Sequence, residues 1–248
     1  MERTALRRRL TWQLAEVMAV TRETPRVRRI RLRPPDWPGH VAGQHVDVRL
    51  TAPDGYTAQR SYSIASPPSQ PEVELIVERL DDGEVSPYLT DELRAGDLLE
   101  VRGPIGGYFV WPEHSGTAVQ LVAGGSGVVP FVAMLAHHRT SGSSVPVRLL
   151  YSARTDADVI AREELRPRPG SAVVLTFTRD APADWTGPRG RIDRELLVRH
   201  SAPPEQSPAI LICGSTPFVE AVTREFVAIG HAAERIKTER YGGMGDTS

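Results

Sequence analysis

The chain has 248 residues, of which 40% are hydrophobic and 25% are charged, as expected for a soluble globular protein large enough for two small domains. Thirty basic and 31 acidic residues give a net charge of −1, which provides no basic field for nucleic acid or an anionic membrane. The single cysteine, Cys213, excludes an internal disulfide, a four-cysteine iron–sulfur cluster and a cysteine-rich zinc site built from this chain alone. We therefore predict a cytoplasmic protein with no metal site and with no nucleic-acid or membrane partner.

The arginine-rich start of the chain does not predict export. Glu16 and Arg22 interrupt the stretch that follows it, so the apolar segment of a signal peptide is missing. No run of about 18 uncharged apolar residues occurs anywhere, so we also predict no membrane-spanning helix.

The first half of the chain predicts short antiparallel strands. Several segments alternate apolar and polar residues with period two, and proline, aspartate and glycine form turns between them. The predicted strands are 26–32, 44–50 and 72–78. One short helix is predicted over 86–93, with Ser86 as its cap and Pro87 at its first position. Strands at this spacing favour a small β-barrel, which we assign to residues 1–113.

The second half predicts an α/β domain over residues 117–248. Near-continuous apolar strands alternate with polar or glycine-rich turns and helices, which is typical of a parallel sheet covered on both faces. The predicted strands are 118–123, 145–151, 172–178 and 209–213, and the predicted helices are 129–139, 160–165, 193–199 and 217–229. Residues 111–116 form the predicted junction between the two domains.

Two turns in the α/β half have residues suited to ligand binding. Gly124, Gly125 and Gly127 lie between a strand and a helix, where small residues and free backbone N–H groups suit a phosphate; a plain tight turn is the alternative. Cys213 is predicted at the carboxyl end of a strand, the edge at which open α/β sheets bind ligands. For an isolated cysteine the pattern favours a buried packing residue, and no lysine lies near it to favour a thiolate nucleophile.

In the barrel half, three neighbouring residues offer complementary contacts to a nucleotide-like ligand. Arg60 supplies a forked charge for phosphate, Tyr62 a flat face for stacking, and Ser63 a hydroxyl for a ring nitrogen.

Five ordered motifs together resemble the ferredoxin–NADP reductase family of flavoenzymes, in the compact bacterial form found as the reductase module of oxygenase systems. The likeness covers about residues 12–242. The motifs are Arg60-Ser-Tyr-Ser63, Gly83-Glu-Val-Ser86, the Gly103-Pro-Ile-Gly106 turn, Gly124-Gly-Ser-Gly-Val-Val-Pro130 and Cys213-Gly214.

The resemblance implies an FAD-binding barrel and an α/β domain that binds NAD(P)H, with the nicotinamide meeting the flavin in the crevice between them. It implies that Arg60 pairs with the FAD pyrophosphate, that Tyr62 stacks on the flavin and that Ser63 hydrogen-bonds flavin N5. Cys213 would lie beside the nicotinamide. The other cofactor-binding positions that it implies are Ile76, Val77, Gly83, Val85, Ser86, Gly124, Gly125, Ser126, Gly127 and Gly214.

Near the C-terminus, the resemblance implies that Glu239 lies close to the reacting rings and that Tyr241 covers the flavin; a frayed end is the alternative. Phe218 departs from the family pattern, because many members carry methionine there. Many relatives also append a ferredoxin domain whose cysteines are missing here, so we expect electrons to leave to a separate acceptor.

The choice of nucleotide depends on the residues after the strand predicted over 145–151. Ser152 and Arg154 favour the 2′-phosphate of NADPH, but Asp156 and Asp158 follow closely and an acid at this point is typical of NAD sites. Arg191 could reach the adenosine end or remain solvated. The balance favours NADPH.

These observations predict an FAD-dependent NAD(P)H oxidoreductase that passes electrons to a ferredoxin or an oxygenase component. Two alternatives remain. The first is a reductase of diffusible flavin, and the second is a non-catalytic flavin-binding electron-transfer subunit.

Overall fold

The computed structural model of the protein describes residues 10–112 and 116–241. The middle of the predicted junction, residues 113–115, and the termini 1–9 and 242–248 lie outside the described residues. No helix within the two described ranges is long and apolar enough to cross a bilayer.

The first lobe is a six-stranded antiparallel barrel. Its strands are β1 (Gln13–Thr24), β2 (Val27–Arg33), β3 (His45–Thr51), β4 (Thr57–Ser63), β5 (Val73–Glu78) and β6 (Leu98–Ile105), in the order β4-β3-β6-β1-β2-β5. A bridge between Ile64 and Leu75 joins the two ends of this order and closes the barrel. Alternate residues such as Ile30 and Leu32 fill its interior, as period-two strands require.

The helix predicted over 86–93 has a different form from the one expected. The chain turns helically at Ser86 and then widens into a π-helix over Tyr88–Glu92, where Leu93 N donates to Tyr88 O at 3.0 Å. The prediction of Ser86 as the cap is wrong, because its hydroxyl oxygen accepts a hydrogen bond from Leu80 N at 3.0 Å instead. This hydrogen bond links Leu80, in the loop after β5, to Ser86 at the start of the helix.

The second lobe is a five-stranded parallel sheet with helices on both faces. Its strands are β7 (Val119–Gly124), β8 (Val147–Ala153), β9 (Ser171–Phe177), β10 (Ala209–Ser215) and β11 (Ile236–Tyr241), and its helices are α1 (Val129–Thr140), α2 (Arg194–His200) and α3 (Thr216–Ala228). Phe131 of α1 packs in one apolar cluster with Leu121 and Leu149. Phe226 of α3 packs in the cluster of the opposite face with Ile212. The predicted β-barrel plus α/β architecture is confirmed.

The strand order β11-β10-β7-β8-β9 places a topological switch point between β7 and β10. The chain leaves β7 toward β8 on one side, whereas β10 lies on the other side, so the loops that follow these two strands diverge. The glycine-rich segment after β7 and the Cys213-Gly214 pair of β10 both lie at this point. The fold thus brings the two sequence motifs of the α/β half together.

The prediction of a helix over 160–165 is wrong. The segment is a series of turns in which Ala161 has a φ of +53°, a left-handed conformation that no α-helix contains. Two contacts hold it: Ile160 N donates to Tyr151 Oη at 3.3 Å, and Ala161 N donates to Glu23 Oε2 at 3.2 Å. Tertiary hydrogen bonds here override the helix propensity of the sequence.

The lobes share one apolar core. Val27 and Ile76 of the barrel, together with Phe109 and Trp111 after it, belong to the same buried cluster as Phe131 of α1. This packing fixes a crevice between the lobes, with the ends of β4 and β5 on one side and the carboxyl ends of β7, β10 and β11 on the other.

Candidate functional site

A cavity of about 520 Å³ opens between the two lobes. Tyr62, Ser63 and Ile76 line it from the barrel, and Cys213 and Glu239 line it from the parallel sheet. The structure therefore places the predicted flavin residues and the predicted nicotinamide residues on opposite walls of one space.

Tyr62 forms part of the barrel wall of this cavity. Its ring packs partly against the barrel core while another part of it faces the cavity. Burial raises the pKa of its hydroxyl far above the ordinary value, so the side chain stays neutral at any physiological pH. Ser63 ends β4 beside it, so a flat ring and a hydroxyl adjoin at the same strand end.

Arg60 lines the same cavity but already has a partner. Its Nη2 donates to Glu84 Oε2 at 2.7 Å, and Tyr56 Oη donates to Glu84 Oε1 at 2.5 Å. The Tyr56 hydroxyl and Arg60 hold the pKa of the Glu84 carboxyl below its ordinary value. An anionic ligand that binds Arg60 has to share or replace this exposed contact, which is weak in water.

The remaining predicted barrel residues divide into two groups. Ile76, Gly83, Val85 and Ser86 line the cavity. Val77 does not, because neighbouring residues of a strand point to opposite faces and its fully buried side chain packs in the barrel interior.

Cys213 and Glu239 are neighbours on β10 and β11. Burial raises the pKa of the Cys213 thiol, so it carries no thiolate character. Burial also raises the pKa of Glu239 to about 7, and its Oε2 has no hydrogen-bond partner among the described residues. The crevice thus contains a carboxyl group that binds or releases a proton near neutral pH.

A second cavity, of about 450 Å³, continues along the carboxyl edge of the parallel sheet. The predicted nucleotide residues that line it are Gly124, Gly125, Ser126, Ser152, Arg154 and Arg191. Asp158 lines it too, but its carboxylate accepts hydrogen bonds from Thr155 N at 3.1 Å and Thr155 Oγ1 at 2.8 Å. Asp156 does not line the cavity.

The glycine segment after β7, residues 124–127, has a backbone conformation and a close packing against its neighbours that only glycine allows. Gly125 has a φ of +55°, and a Cβ there would lie 2.8 Å from Tyr241 Oη. A Cβ on Gly127 would lie 2.3 Å from the backbone oxygen of Cys213. Gly127 and Gly214 line neither cavity, since Gly127 packs against β10 and Gly214 packs beneath the ring of Phe218. They shape the site rather than face it.

Tyr241 lines both cavities. It is the last residue of β11, paired with Ser215, and its hydroxyl donates to Gly124 O at 2.6 Å. Burial raises the pKa of this hydroxyl to about 12. Through residue 241 the chain is therefore a strand with a defined end contact, whereas the tail beyond it lies outside the described residues.

Several residues that line the crevice had no sequence signal. His45 and Glu78 reach the first cavity, and Thr24, Arg26 and Thr178 reach the second. None belongs to a motif, and the barrel residues among them face the second lobe only because of how the lobes pack. Phe218, noted as a departure from the family pattern, also lines the second cavity and lies against Gly124 and Gly214.

Comparison with known proteins assigns each lobe to a domain family. A family model of the oxidoreductase FAD-binding domain matches residues 12–110, and one of the oxidoreductase NAD-binding domain matches residues 121–224. The fold and these matches define a protein that combines an FAD-binding domain and an NAD-binding domain of the oxidoreductase type. The chain belongs to the ferredoxin–NADP reductase-like family, as its motifs predicted.

Two curated relatives match most of the chain. NADH oxidoreductase HCR from Escherichia coli (strain K12) is 32% identical over 222 residues, covering 88% of this chain. The glycine betaine monooxygenase reductase subunit from Chromohalobacter salexigens is 31% identical over 207 residues, covering 81% of this chain. The chain spans 65% and 55% of the lengths of these two relatives, respectively.

A solved structure supports the fold over nearly the whole chain. The cytochrome P450 reductase from Amycolatopsis superposes with a TM-score of 0.80 at 27% sequence identity, covering 93% of this chain and 70% of that one.

Proposed function

We propose that the protein is an FAD-dependent NAD(P)H oxidoreductase that supplies electrons to a separate acceptor, such as a ferredoxin or an oxygenase component. The observation that carries this proposal is the single crevice in which Tyr62 and Ser63 face Cys213 and Glu239. Bound FAD would supply the chemistry, accepting a hydride from the nucleotide and releasing electrons one at a time. One of the relatives is named as a monooxygenase reductase subunit, which agrees with an oxygenase component as the acceptor.

The residues of the first cavity fit a flavin. Tyr62 offers a ring face for stacking, Ser63 a hydroxyl for flavin N5, and Arg60 a positive charge for the pyrophosphate. On the opposite wall, Oε2 of Glu239 has no hydrogen-bond partner among the described residues, and burial raises the pKa of this carboxyl to about 7, so that it can hold a proton near neutral pH. The other flavin-contacting positions in this proposal are Ile76, Gly83, Val85 and Ser86.

The residues of the second cavity fit a dinucleotide. Gly124, Gly125 and Ser126 line this cavity at the start of a helical segment, a position that suits a pyrophosphate. Gly127 and Gly214 would let the segment and Phe218 approach closely, and Cys213 would orient the nicotinamide as an uncharged neighbour. The role of these residues is positioning, since stacking two rings requires alignment and exclusion of water rather than a nucleophile.

NADPH is the nucleotide that this cavity suits best. Arg154 and Arg191 both line it and can pair with a 2′-phosphate, whereas one carboxylate oxygen of Asp158, Oδ2, already accepts two hydrogen bonds from Thr155. Changing Arg154 to Ala should raise the KM for NADPH by at least about tenfold, since a charge-assisted contact is lost, and should change the KM for NADH much less. Steady-state kinetics with both nucleotides measures this.

Arg166→Ala is the matched control, because Arg166 is an exposed arginine paired with Glu163 outside both cavities. It should leave both KM values unchanged. An equal effect of Arg154→Ala on NADPH and NADH would overturn the assignment of Arg154 to the 2′-phosphate. The alternative nucleotide is NADH, which the name of the Escherichia coli relative contains.

The function itself is tested by anaerobic mixing of the FAD-loaded protein with NADPH and, separately, with NADH. We expect at least one of the two nucleotides to reduce the bound flavin, which bleaches the flavin absorbance band at roughly 450 nm in a single turnover. Failure of both to bleach bound flavin would favour a non-catalytic flavin-binding subunit. A protein that purifies without flavin and binds it only weakly would favour a reductase of diffusible flavin.

We further propose that residues 1–113 and 117–248 are the two domains and that the protein works in the cytoplasm. The six strands of the barrel and the five strands of the parallel sheet fall within these two ranges.

A further inference from the structure

An ion cluster links the two lobes beside the crevice. Arg29 of β2 contacts three carboxylates: Nε donates to Glu23 at 2.5 Å, Nη1 to Glu74 at 2.9 Å and Nη2 to Glu164 at 2.5 Å. Glu23 and Glu74 belong to the barrel, whereas Glu164 belongs to the second lobe. We call these four residues the interlobe ion cluster.

The cluster is more sheltered than the other ion pairs around it. The side chains of Arg29, Glu23 and Glu74 are each less than 20% exposed, and that of Glu164 is 31% exposed. Water and salt screen such contacts less than surface pairs, and Arg29 uses its fork to bind three partners at once. The cluster therefore constrains the distance between the strands β1, β2 and β5 and the segment that carries Glu164.

On the barrel side, the cluster adjoins the wall of the first cavity. Arg29 is the register partner of Ile76, so the two side chains lie on the same face of the β2–β5 ribbon. Ile76 lines the first cavity, and Glu74 lies two residues before it on the same face. A shift of Arg29 would therefore displace Ile76 in the barrel wall of the crevice.

On the side of the second lobe, the cluster binds the segment that follows the lining of the second cavity. Asp158 and Ile160 line that cavity, and residues 161–164 continue from them. Glu23 also accepts a hydrogen bond from Ala161 N, whose left-handed conformation is one that an alanine rarely adopts. The carboxylate of Glu23 thus holds a strained backbone in place, and strain of this kind persists where the surroundings impose it.

We propose that the interlobe ion cluster sets the alignment of the two lobes so that a nicotinamide held by the second lobe stacks on a flavin held by the barrel. Arg29 and Glu164 are positioning residues in this proposal, which rests on the proposed function. Because one ring is held by each lobe, a small change in lobe alignment alters the reacting distance without altering either binding site.

The test compares Glu164→Gln with Glu163→Gln in the FAD-loaded protein. The two glutamates are neighbours in sequence, but Glu163 pairs with the exposed Arg166 in a surface contact. Glu164→Gln keeps the shape of the side chain and removes its charge. We expect it to slow single-turnover flavin reduction about tenfold, while the dissociation constants for FAD and the nucleotide change less than about twofold. Glu163→Gln should behave as wild type.

Two further readouts distinguish positioning from general stability. The long-wavelength absorbance that a nicotinamide ring produces when it stacks on a flavin should weaken in Glu164→Gln at saturating nucleotide. Amide hydrogen exchange over residues 156–165 should become faster in the flavin-free variant, with the exchange of β3 unchanged. Arg29→Lys, which keeps the charge but loses the fork, should show the same pattern.

Flavin reduction at the wild-type rate in Glu164→Gln would overturn the inference, as would a slower rate explained entirely by weaker nucleotide binding. If wild type itself is not reduced, the proposed function fails and the exchange measurement alone decides. Faster exchange over residues 156–165 would then support the cluster as the link between the lobes, and unchanged exchange would overturn it.

Discussion

The carboxyl group of Glu239 shows how the crevice changes the chemistry of one residue. It faces the same cavity as Ser63, has no partner for Oε2 among the described residues, and its pKa rises to about 7 because burial disfavours the charged form. In the unfolded chain the same carboxyl has its ordinary pKa of 4.5. The folded protein therefore binds one more proton than the unfolded chain between these two values, and its stability falls as the pH rises through this range.

Glu239→Gln removes this titration. Relative to wild type, the free energy of unfolding of the flavin-free variant should rise by about 3 kcal/mol between about pH 4.5 and about pH 8, since each pKa unit is worth about 1.4 kcal/mol. Urea unfolding at a series of pH values measures the difference. Glu234→Gln, on an exposed residue, is the control and should show no such trend. A constant difference between Glu239→Gln and wild type across this range would contradict the account.

The sequence predicted which residues meet in the crevice better than it predicted their partners. Arg60, Tyr62 and Ser63 belong to one short motif, and they all lie at the end of β4 in the lining of the first cavity. The contact between Arg60 and Glu84 could not be read from sequence, because it depends on how β4 and the loop after β5 lie in the closed barrel. Val77 entered the predicted set with Ile76, although the pleat of β5 turns its side chain into the barrel interior.

Among the elements, the glycine segment after β7 is tightly constrained by its packing against β10. Gly127→Ala would place a Cβ 2.3 Å from a backbone oxygen of β10, and backbone cannot move aside as a flexible side chain can. We expect a loss of about 1–3 kcal/mol in the free energy of unfolding and a higher KM for the nucleotide. Urea denaturation and steady-state kinetics measure the two effects.

Gly107→Ala is the control for this substitution, because a Cβ at Gly107 would meet no atom within 4 Å. It should change neither stability nor KM appreciably. If Gly127→Ala were as stable as Gly107→Ala, the close packing between the glycine segment and β10 would be wrong.

The elements that the sequence missed have identifiable physical reasons. β1 is long, and its register shifts between Val17 and Ala19 and between Arg22 and Thr24, which breaks the period-two pattern. β6 includes Gly103 and Pro104, which alone predict a turn. β11 is a polar edge strand whose sequence gives little alternation. Conversely, the helix expected over 160–165 is absent because contacts from Tyr151 and Glu23 hold its backbone in turns.

At the scale of the whole molecule, the two lobes act through a shared boundary. An apolar core joins Trp111 and Ile76 to α1, the interlobe ion cluster joins the barrel to the segment before β9, and Tyr241 lies between the two cavities. The sequence predicted two domains and their order, since period-two and strand–helix patterns are local. It could not predict how the domains face each other, because residues such as Val27 and Arg29 give no local sign of a partner in the other lobe.

In the proposed function, a flavin and a pyridine nucleotide meet in this crevice. A crystal structure of the protein grown with FAD and soaked with NADP⁺ would show whether they do. We expect a flavin ring between Tyr62 and Tyr241, with its N5 edge toward Ser63, and a nucleotide pyrophosphate on the backbone of Gly124 and Gly125. Electron density that places the flavin outside this cavity, or the nucleotide away from the glycine segment, would contradict it.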